Sequence, residues 1–467
     1  MPSRQDQLHS YQFTVQRVVA ALVMRETDPA QSPFRRAAGA TMASVLIAVI
    51  ALGGVVVYGL IVGGGSDKWR DTSAVIVEKE TGARYVFREG KLHPVLNYAS
   101  ALLIIGSAAP KSVLVSAKSI EGVPRGAPLG IADAPDSLTP AKRLSAYPWT
   151  VCSGPVTGAG ATGSRSVLVV GGVPRGGRPL GDEGVLLRQP DGGLHLLWHN
   201  RRHLIRDSRV VLSVLGATSR PKVAASLALI NSLSAGADLA PMPVPGLSEA
   251  FDAVPDAKIG QVFVIKSQGG GEQYAVAMRG GLAGISLLQA NLLLSDPETS
   301  AAIGQEKPTE LSQADFARID KLPDAVPAGV APPAVSPKLA DADGAVCAVI
   351  RGDSGAAEVL VGVPAPDVSD AVRTGSRTSE GAVLADYVMV EPGRGAVVEE
   401  VGAPGAAGTL SIVTSLGRRY EVANAGVLGI LGYAGVKPVR LPTSVVTLLP
   451  AGRALDPDAA RVPAVQG

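Results

Sequence analysis

The chain has 467 residues, 46% of them hydrophobic, and its 43 Lys and Arg nearly balance 41 Asp and Glu. That length supports a sizeable core or several smaller ones, and a net charge of +2 lacks the electrostatic footprint of a nucleic-acid partner. Gly and Pro, 55 and 35 residues, favour short strands and many turns over a compact helical enzyme, and aromatics at 4% leave few rings for sugar- or base-stacking grooves.

In chain order, Leu8, Tyr11, Val15, Val18, Val19 and Leu22 recur at helical spacing, with Gln12, Gln16 and Arg17 opposite, and Asp28-Pro29 ends the pattern. Residues 1–40 therefore read as an amphipathic helix and tail. Such a helix lies on lipid or docks on a partner, and its mildly basic polar face favours docking. Residues 37–66 carry no charge, and within them Thr41–Val62 is apolar throughout. As a helix that stretch reaches roughly 33 Å, enough for a hydrocarbon core of about 30 Å. Only a helix satisfies its own backbone there. A signal peptide would have an apolar core of about 7–15 residues close behind a basic start. This run is longer and begins only after residue 40, so an uncleaved transmembrane span from Thr41 to Val62 is expected. Arg35 and Arg36 just before it, and the short tail, outweigh Lys68, Arg70 and Lys79 behind it. The expected orientation is N-terminus in the cytoplasm and C-terminal bulk outside.

Beyond the span the chain repeats itself. Arg84–Gly106, Leu194–Gly216, Gln273–Ser295 and Arg419–Pro438 each share an aromatic or similar residue in a short strand, a tight turn, another strand and a short apolar helix. Asn97 and Asp207 are placed as N-caps, Gly106 and Gly216 as helix stops. Between these units, Val167–Pro174 matches Val359–Pro364, and Leu114–Ile120 matches Glu310–Phe316. Offsets of 189 for Tyr85 and Tyr274, 196 for Ser116 and Ser312, and 195 for Cys152 and Cys347 make the body two half-copies. Each half runs repeat, central strands, repeat. Two cysteines in a non-cytosolic domain pair, the alternative being two separately buried thiols. Equivalent positions about a pseudo-two-fold axis come within the ~7 Å that a bridge needs, so a Cys152–Cys347 disulfide is expected. No second Cys or His stands at ligand spacing around either, which argues against a metal.

The expected fold is α+β, mostly β: one transmembrane helix and an elongated extracytoplasmic domain with a central sheet and four hairpin–helix repeats. The divisions are residues 1–40 cytoplasmic, 41–62 membrane, 74–119 first repeat, 120–190 central domain, 191–231 second repeat and 232–258 linker. Residues 259–305 form the third repeat, 306–408 the second half of the central domain, 409–450 the fourth repeat and 451–467 a flexible tail. The Pro/Ala-rich stretch Leu322–Pro337 is expected to wrap the surface. Tyr387–Val401 reads as a protruding hairpin tipped by Pro392–Gly395.

Ser10–Pro29, Leu92–Gly106, Cys152, Cys347, Tyr387–Val398 and Leu448–Ala460, in this order and spacing, resemble the EccB family of actinobacterial type VII (ESX) secretion systems. The resemblance covers nearly the whole chain. It implies a structural, single-span inner-membrane subunit whose outer domain self-associates. The implied partners are an EccC motor ATPase of FtsK/SpoIIIE type, EccD, EccE and a mycosin protease, with WXG100-type proteins as cargo. It also implies N-terminus in, C-terminus out.

Some EccB-like proteins are called ATPases, so phosphate loops matter. A P-loop needs GxxxxGK[ST], and the nearest stretch, Gly158–Ser166, lacks the lysine. Gly352–Ala356 (GDSGA) resembles a protease nucleophile motif, but no histidine sits in a matching context, so a turn is the simpler reading. His195, His199 and His203 would share a helix face, yet the repeat alignment puts them on strand, turn and strand. Asp341–Gly344 lacks the downstream Glu of a calcium loop. No catalytic residue, cofactor or metal is expected, and enzymatic activity stays open. The alternatives to assembly are an extracytoplasmic nucleotide hydrolase and a cell-wall-binding or sensing domain.

Overall fold

The structure, a computed structural model, describes residues 3–25, 33–62, 67–108, 110–156, 163–323, 328–341, 343–402 and 408–464. Its compact units are two: residues 1–71, 76–83 and 113–124 in one, and 72–75, 84–112 and 125–467 in the other.

The first unit opens with helix α1 (Arg4–Met24). Ser3 Oγ accepts the Asp6 N–H while the Asp6 carboxylate accepts the Ser3 N–H, so both orphan donors are satisfied at once. Ala20 is its one buried side chain among the described residues, and Leu8, Tyr11, Phe13, Val15, Val18 and Leu22 are exposed. The Asp28-Pro29 stop lies outside the described residues, as do the side chains of Arg35 and Arg36. Helix α2 (Pro33–Val62) contains Ala37–Tyr58, long and apolar enough to cross a membrane and with none of its surface buried. Two of its hydroxyls are satisfied within the helix: Thr41 Oγ1 donates to Ala37 O at 3.1 Å and Ser44 Oγ to Ala40 O at 2.8 Å.

The second unit is organised by a seven-stranded sheet. Strands β1 (Trp149–Pro155) and β2 (Ser164–Val170) come from the first half, β3 (Ala345–Ile350), β4 (Ala357–Val363) and β5 (Tyr387–Val390) from the second. The order is Val372–Arg373, β5, β2, β1, β3, β4, Arg178–Pro179. Thus β1 and β3 pair antiparallel at the centre, each followed outward by its own hairpin partner. The duplicated VLV runs lie in β2 and β4 but one residue out of step, Val167 opposing Cys152 and Leu360 opposing Cys347. Trp149, Val151, Leu168, Val346, Ala348, Val359 and Val388 form a core that continues into the short helices Leu227–Ser232 and Thr443–Val446.

The repeats are larger than hairpin plus helix. In the second, third and fourth, three antiparallel strands precede the helix, and short parallel segments then join both outer strands. The helix N-caps are Asn97, Asp207, Ser286 and Asn424, each side chain accepting a first-turn N–H. Ser116 and Ser312, matched by sequence, both stand immediately before a short helix.

Four expectations change. Strands Val185–Arg188 and Ala396–Val401, assigned to the central domain, are the first strands of the second and fourth repeats. Tyr387–Val401 is therefore not a protruding hairpin. Its halves belong to two sheets, and Val388, Val390, Ala396 and Val398 are all buried in one core, too apolar to project. In the fourth repeat Thr409–Val413 is the middle strand, so Tyr420 matches His93 and His203 rather than Tyr85. The segment 451–464 is no loose tail: Ala451 and Leu455 bridge Arg419 and Val422, and Ala464 N–H bonds Pro128 O at 2.9 Å. The stretch 232–258 is ordered in the same manner, with Ser234–Ala235 and Leu239 seated beside Arg201–Ile205.

Candidate functional site

At the centre of the sheet, Cys152 faces Cys347 in register, because β1 and β3 are equivalent strands meeting on the pseudo-two-fold axis. The sulfurs are bonded at 2.07 Å with Cα atoms 4.0 Å apart, and both residues are completely buried among Ala345, Val349, Leu360 and Val363. The bridge closes a separation of 195 residues.

Polar contacts tie distant segments around it. Ser166 donates through N–H and Oγ to Asp386 Oδ2 at 2.7 and 2.6 Å, and the Asp386 N–H returns a bond to Ser166 Oγ at 2.9 Å, fixing β5 beside β2. The aspartate of the Gly352–Ala356 turn is structural as well. Asp353 accepts from Lys437 Nζ at 2.9 Å and lies 3.0 Å from Tyr147 Oη, which is also 2.7 Å from Arg440 O. The Lys437 ammonium and then Tyr147 hold the Asp353 carboxyl below its ordinary range, while burial and Asp353 push Tyr147 up to about 12. Ser354 Oγ accepts the Ala356 N–H at 3.3 Å.

The histidines have other partners. His93 Nδ1 lies 3.0 Å from Ala127 O, His195 Nε2 3.0 Å from Gln189 Oε1, His199 Nε2 2.8 Å from Asp182 Oδ1 and His203 Nδ1 2.8 Å from Ala237 O. None of these bonds reaches Ser354. His195 opposes Leu204 and His203 opposes Leu196, so the two rings point to opposite faces of their sheet. Among the described residues no three His, Cys, Asp or Glu could share a metal. Asp341 pairs with Arg220 at 3.3 Å, while residues 157–162 of the glycine-rich loop, and residue 342, lie outside the described residues.

One recurring device was not read from the sequence. A Cβ at Gly126 would come within 2.1 Å of the His93 ring, one at Gly236 within 2.2 Å of the His203 ring and one at Gly452 within 2.1 Å of the Tyr420 ring. In the first, second and fourth repeats a ring on the strand before the helix packs against a glycine of the parallel segment. The signal was available, since Gly126 follows His93 by the same 33 residues that separate Gly236 from His203.

A single candidate membrane helix among the described residues precedes a duplicated and internally cross-linked body of small sheets, the outline of a membrane-attached protein. A family model described as type VII secretion system ESX-1, transport TM domain B, matches residues 1–465. The chain is 30% identical over 487 residues to the ESX-3 secretion system ATPase EccB3 of Mycobacterium tuberculosis, covering 96% of this chain and 87% of that one. It is 29% identical over 479 residues to the EccB3 of Mycolicibacterium smegmatis, covering 96% and 88%. A chain in an intact ESX-5 inner membrane complex superposes with a TM-score of 0.64 at 26% identity, covering 100% of this chain and 96% of that one. A chain of an EccB3 dimer from the ESX-3 core complex gives 0.62 at 27%, covering 83% and 100%. The chain belongs to the EccB family and is a membrane subunit of a type VII secretion system.

Proposed function

We propose that this chain is a bitopic scaffold of the inner-membrane secretion complex, with its N-terminus in the cytoplasm and its body outside. In this reading it pairs with further copies of itself and with an EccC-type FtsK/SpoIIIE motor ATPase, EccD, EccE and a mycosin protease to export WXG100-type proteins. The observation that carries the reading is the match along the full chain to a component of an intact ESX-5 inner membrane complex. The buried Cys152–Cys347 bond supports the outside placement of the body, since such bonds persist in oxidising compartments. The span at Thr41–Val62 and the domain divisions, with the strand reassignments above, belong to the same proposal.

Mild detergent extraction followed by affinity purification tests it: the chain should travel with the motor subunit, and recovery of the chain alone from cells with an active system would overturn the assembly reading. Protease added to intact spheroplasts should digest the body, and protection of that body would overturn the orientation. Because the curated relatives are named ATPases, hydrolysis is the second reading. Mg²⁺-dependent ATP turnover by the purified chain, abolished by a point substitution, would favour it.

A further inference from the structure

The second repeat encloses two histidines. His203 is 0% and His195 2% exposed. Each ring offers one nitrogen to an oxygen, His203 Nδ1 to Ala237 O and His195 Nε2 to Gln189 Oε1, which sets the tautomer that donates there. The remaining nitrogens, His203 Nε2 and His195 Nδ1, are buried with no hydrogen-bond partner. The His203 ring sits against Gly236, where an added Cβ would meet it at 2.2 Å.

Protonation would add an N–H at each of these enclosed nitrogens and a charge to each ring, and an unsatisfied buried donor is strongly disfavoured. The neighbouring charges offer little relief. Arg201 and Arg202 are committed to the Ala235 and Leu233 carbonyls, Asp238 to Arg206 at 2.7 Å, and Asp191 to the Gly193 N–H and the Gln189 amide. Burial, helped by Arg202 for His195 and Arg201 for His203, outweighs the opposing pull of the Ala237 hydrogen bond on His203, of Asp191 on His195 and of Asp238 on both, and holds both imidazoles below the ordinary histidine range.

The other repeats lack the pair. The first repeat has His93 four residues before its helix N-cap but Tyr85 in the place of His195; where the second repeat has His203, the third has Leu282 and the fourth Tyr420. Opposite the next residue, where the second repeat has His195, they have Val276 and Ser411. The hairpin tip of the second repeat touches the central sheet, with Asn200 Oδ1 accepting the β4 Val359 N–H at 2.9 Å. Its helix Ser208–Val214 shares a core with Leu288 and Leu292 of the third repeat.

We propose that the second repeat is an acid-responsive latch, in which protonation of His195 and His203 loosens its strands and releases the Asn200 contact with the central sheet. The direction follows from linkage. The unfolded repeat takes up protons near pH 6.5 and the folded one at lower pH, so stability is full above about pH 6.5 and falls as pH drops through the window below it. Each pH unit of depression corresponds to up to about tenfold in the opening equilibrium.

Hydrogen–deuterium exchange of the full chain in detergent at pH 7.5 and 5.0, corrected for intrinsic rates, tests the proposal. Protection across 194–214 should drop about tenfold or more in acid, while 272–295 keeps its protection. The variant His195→Val with His203→Tyr, borrowing residues the third and fourth repeats already hold at these places, should abolish the drop. An unchanged second repeat, a uniform loss across all repeats, or a drop that persists in the variant would overturn it. Exchange at the imidazole carbon of the unmodified chain is independent of any variant. Both histidines should titrate below about 6.5, and midpoints at or above that value would equally overturn the latch.

Discussion

Substituting Gly452 by Ala tests whether the C-terminal segment is seated as described. Gly452 N–H donates to Arg419 O at 2.7 Å, Arg419 N–H to Pro450 O at 2.9 Å and Leu455 N–H to Glu421 O at 2.7 Å, so the segment is held from both sides. A Cβ at 452 would come within 2.1 Å of Tyr420 Cε1 and 2.4 Å of Cδ1, and Tyr420 is only 4% exposed. The ring is buried and the segment's backbone is hydrogen-bonded, so an overpacking penalty of about 1–3 kcal/mol is expected. At 1.36 kcal/mol per decade that is roughly a 5- to 150-fold loss of local protection. Hydrogen exchange over 419–422 and 451–455 of the full chain reads it directly. Gly329→Ala, where no atom lies within 4 Å of the added carbon, serves as the neutral control. Tyr420→Leu, the residue type found at 282, should suppress the effect in the double variant, because the clash disappears. If Gly452→Ala behaves like the control, the segment does not pack on Tyr420 and the closure of the fourth repeat is wrong.

Replacing Cys152 and Cys347 together by Ala should lower stability by about 2–5 kcal/mol, measured by denaturant unfolding of the detergent-solubilised chain. A midpoint unchanged from that of the parent would contradict the cross-link. Ser166→Ala removes a charge-assisted bond and the acceptor of the Asp386 N–H, and should weaken protection of Tyr387–Val390 by about 1.5–3 kcal/mol. Equal protection in parent and variant would show that Asp386 does not pin β5. Arg419→Met leaves the Glu400 side chain, 11% exposed, without its 3.1 Å partner. The cost should be about 3–5 kcal/mol, concentrated in the fourth repeat, and a loss spread evenly over all four repeats would refute that placement.

What could be read from the sequence was whatever a short stretch decides for itself. The apolar run of α2, the Asn97 and Asp207 caps and the turns at Glu89-Gly90 and His199-Asn200 depend on neighbours a few residues away, and the repeats were visible through them. Which sheet a strand joins depends on distant partners instead. Val185–Arg188 and Ala396–Val401 are as apolar as β2 and β4, and nothing in their composition separates a repeat strand from a central one.

The errors share a further cause. In the fourth repeat the tyrosine alone gives the wrong register, and the helix cap gives the right one. Asn424 is the N-cap equivalent of Asn97, so the strand before it must hold Tyr420 in the place of His93, and a middle strand must precede the Gly417 turn. The segment after Pro450 yields to the same treatment. Leu239, four positions past Ala235, bridges Ile205, three past Arg202, and Leu455, four past Ala451, bridges Val422, three past Arg419. A segment polar enough to look loose is anchored by one leucine at the spacing its counterpart uses. In a duplicated chain each half is thus the better predictor of the other, because equivalent positions inherit the same packing partners even where local composition has drifted.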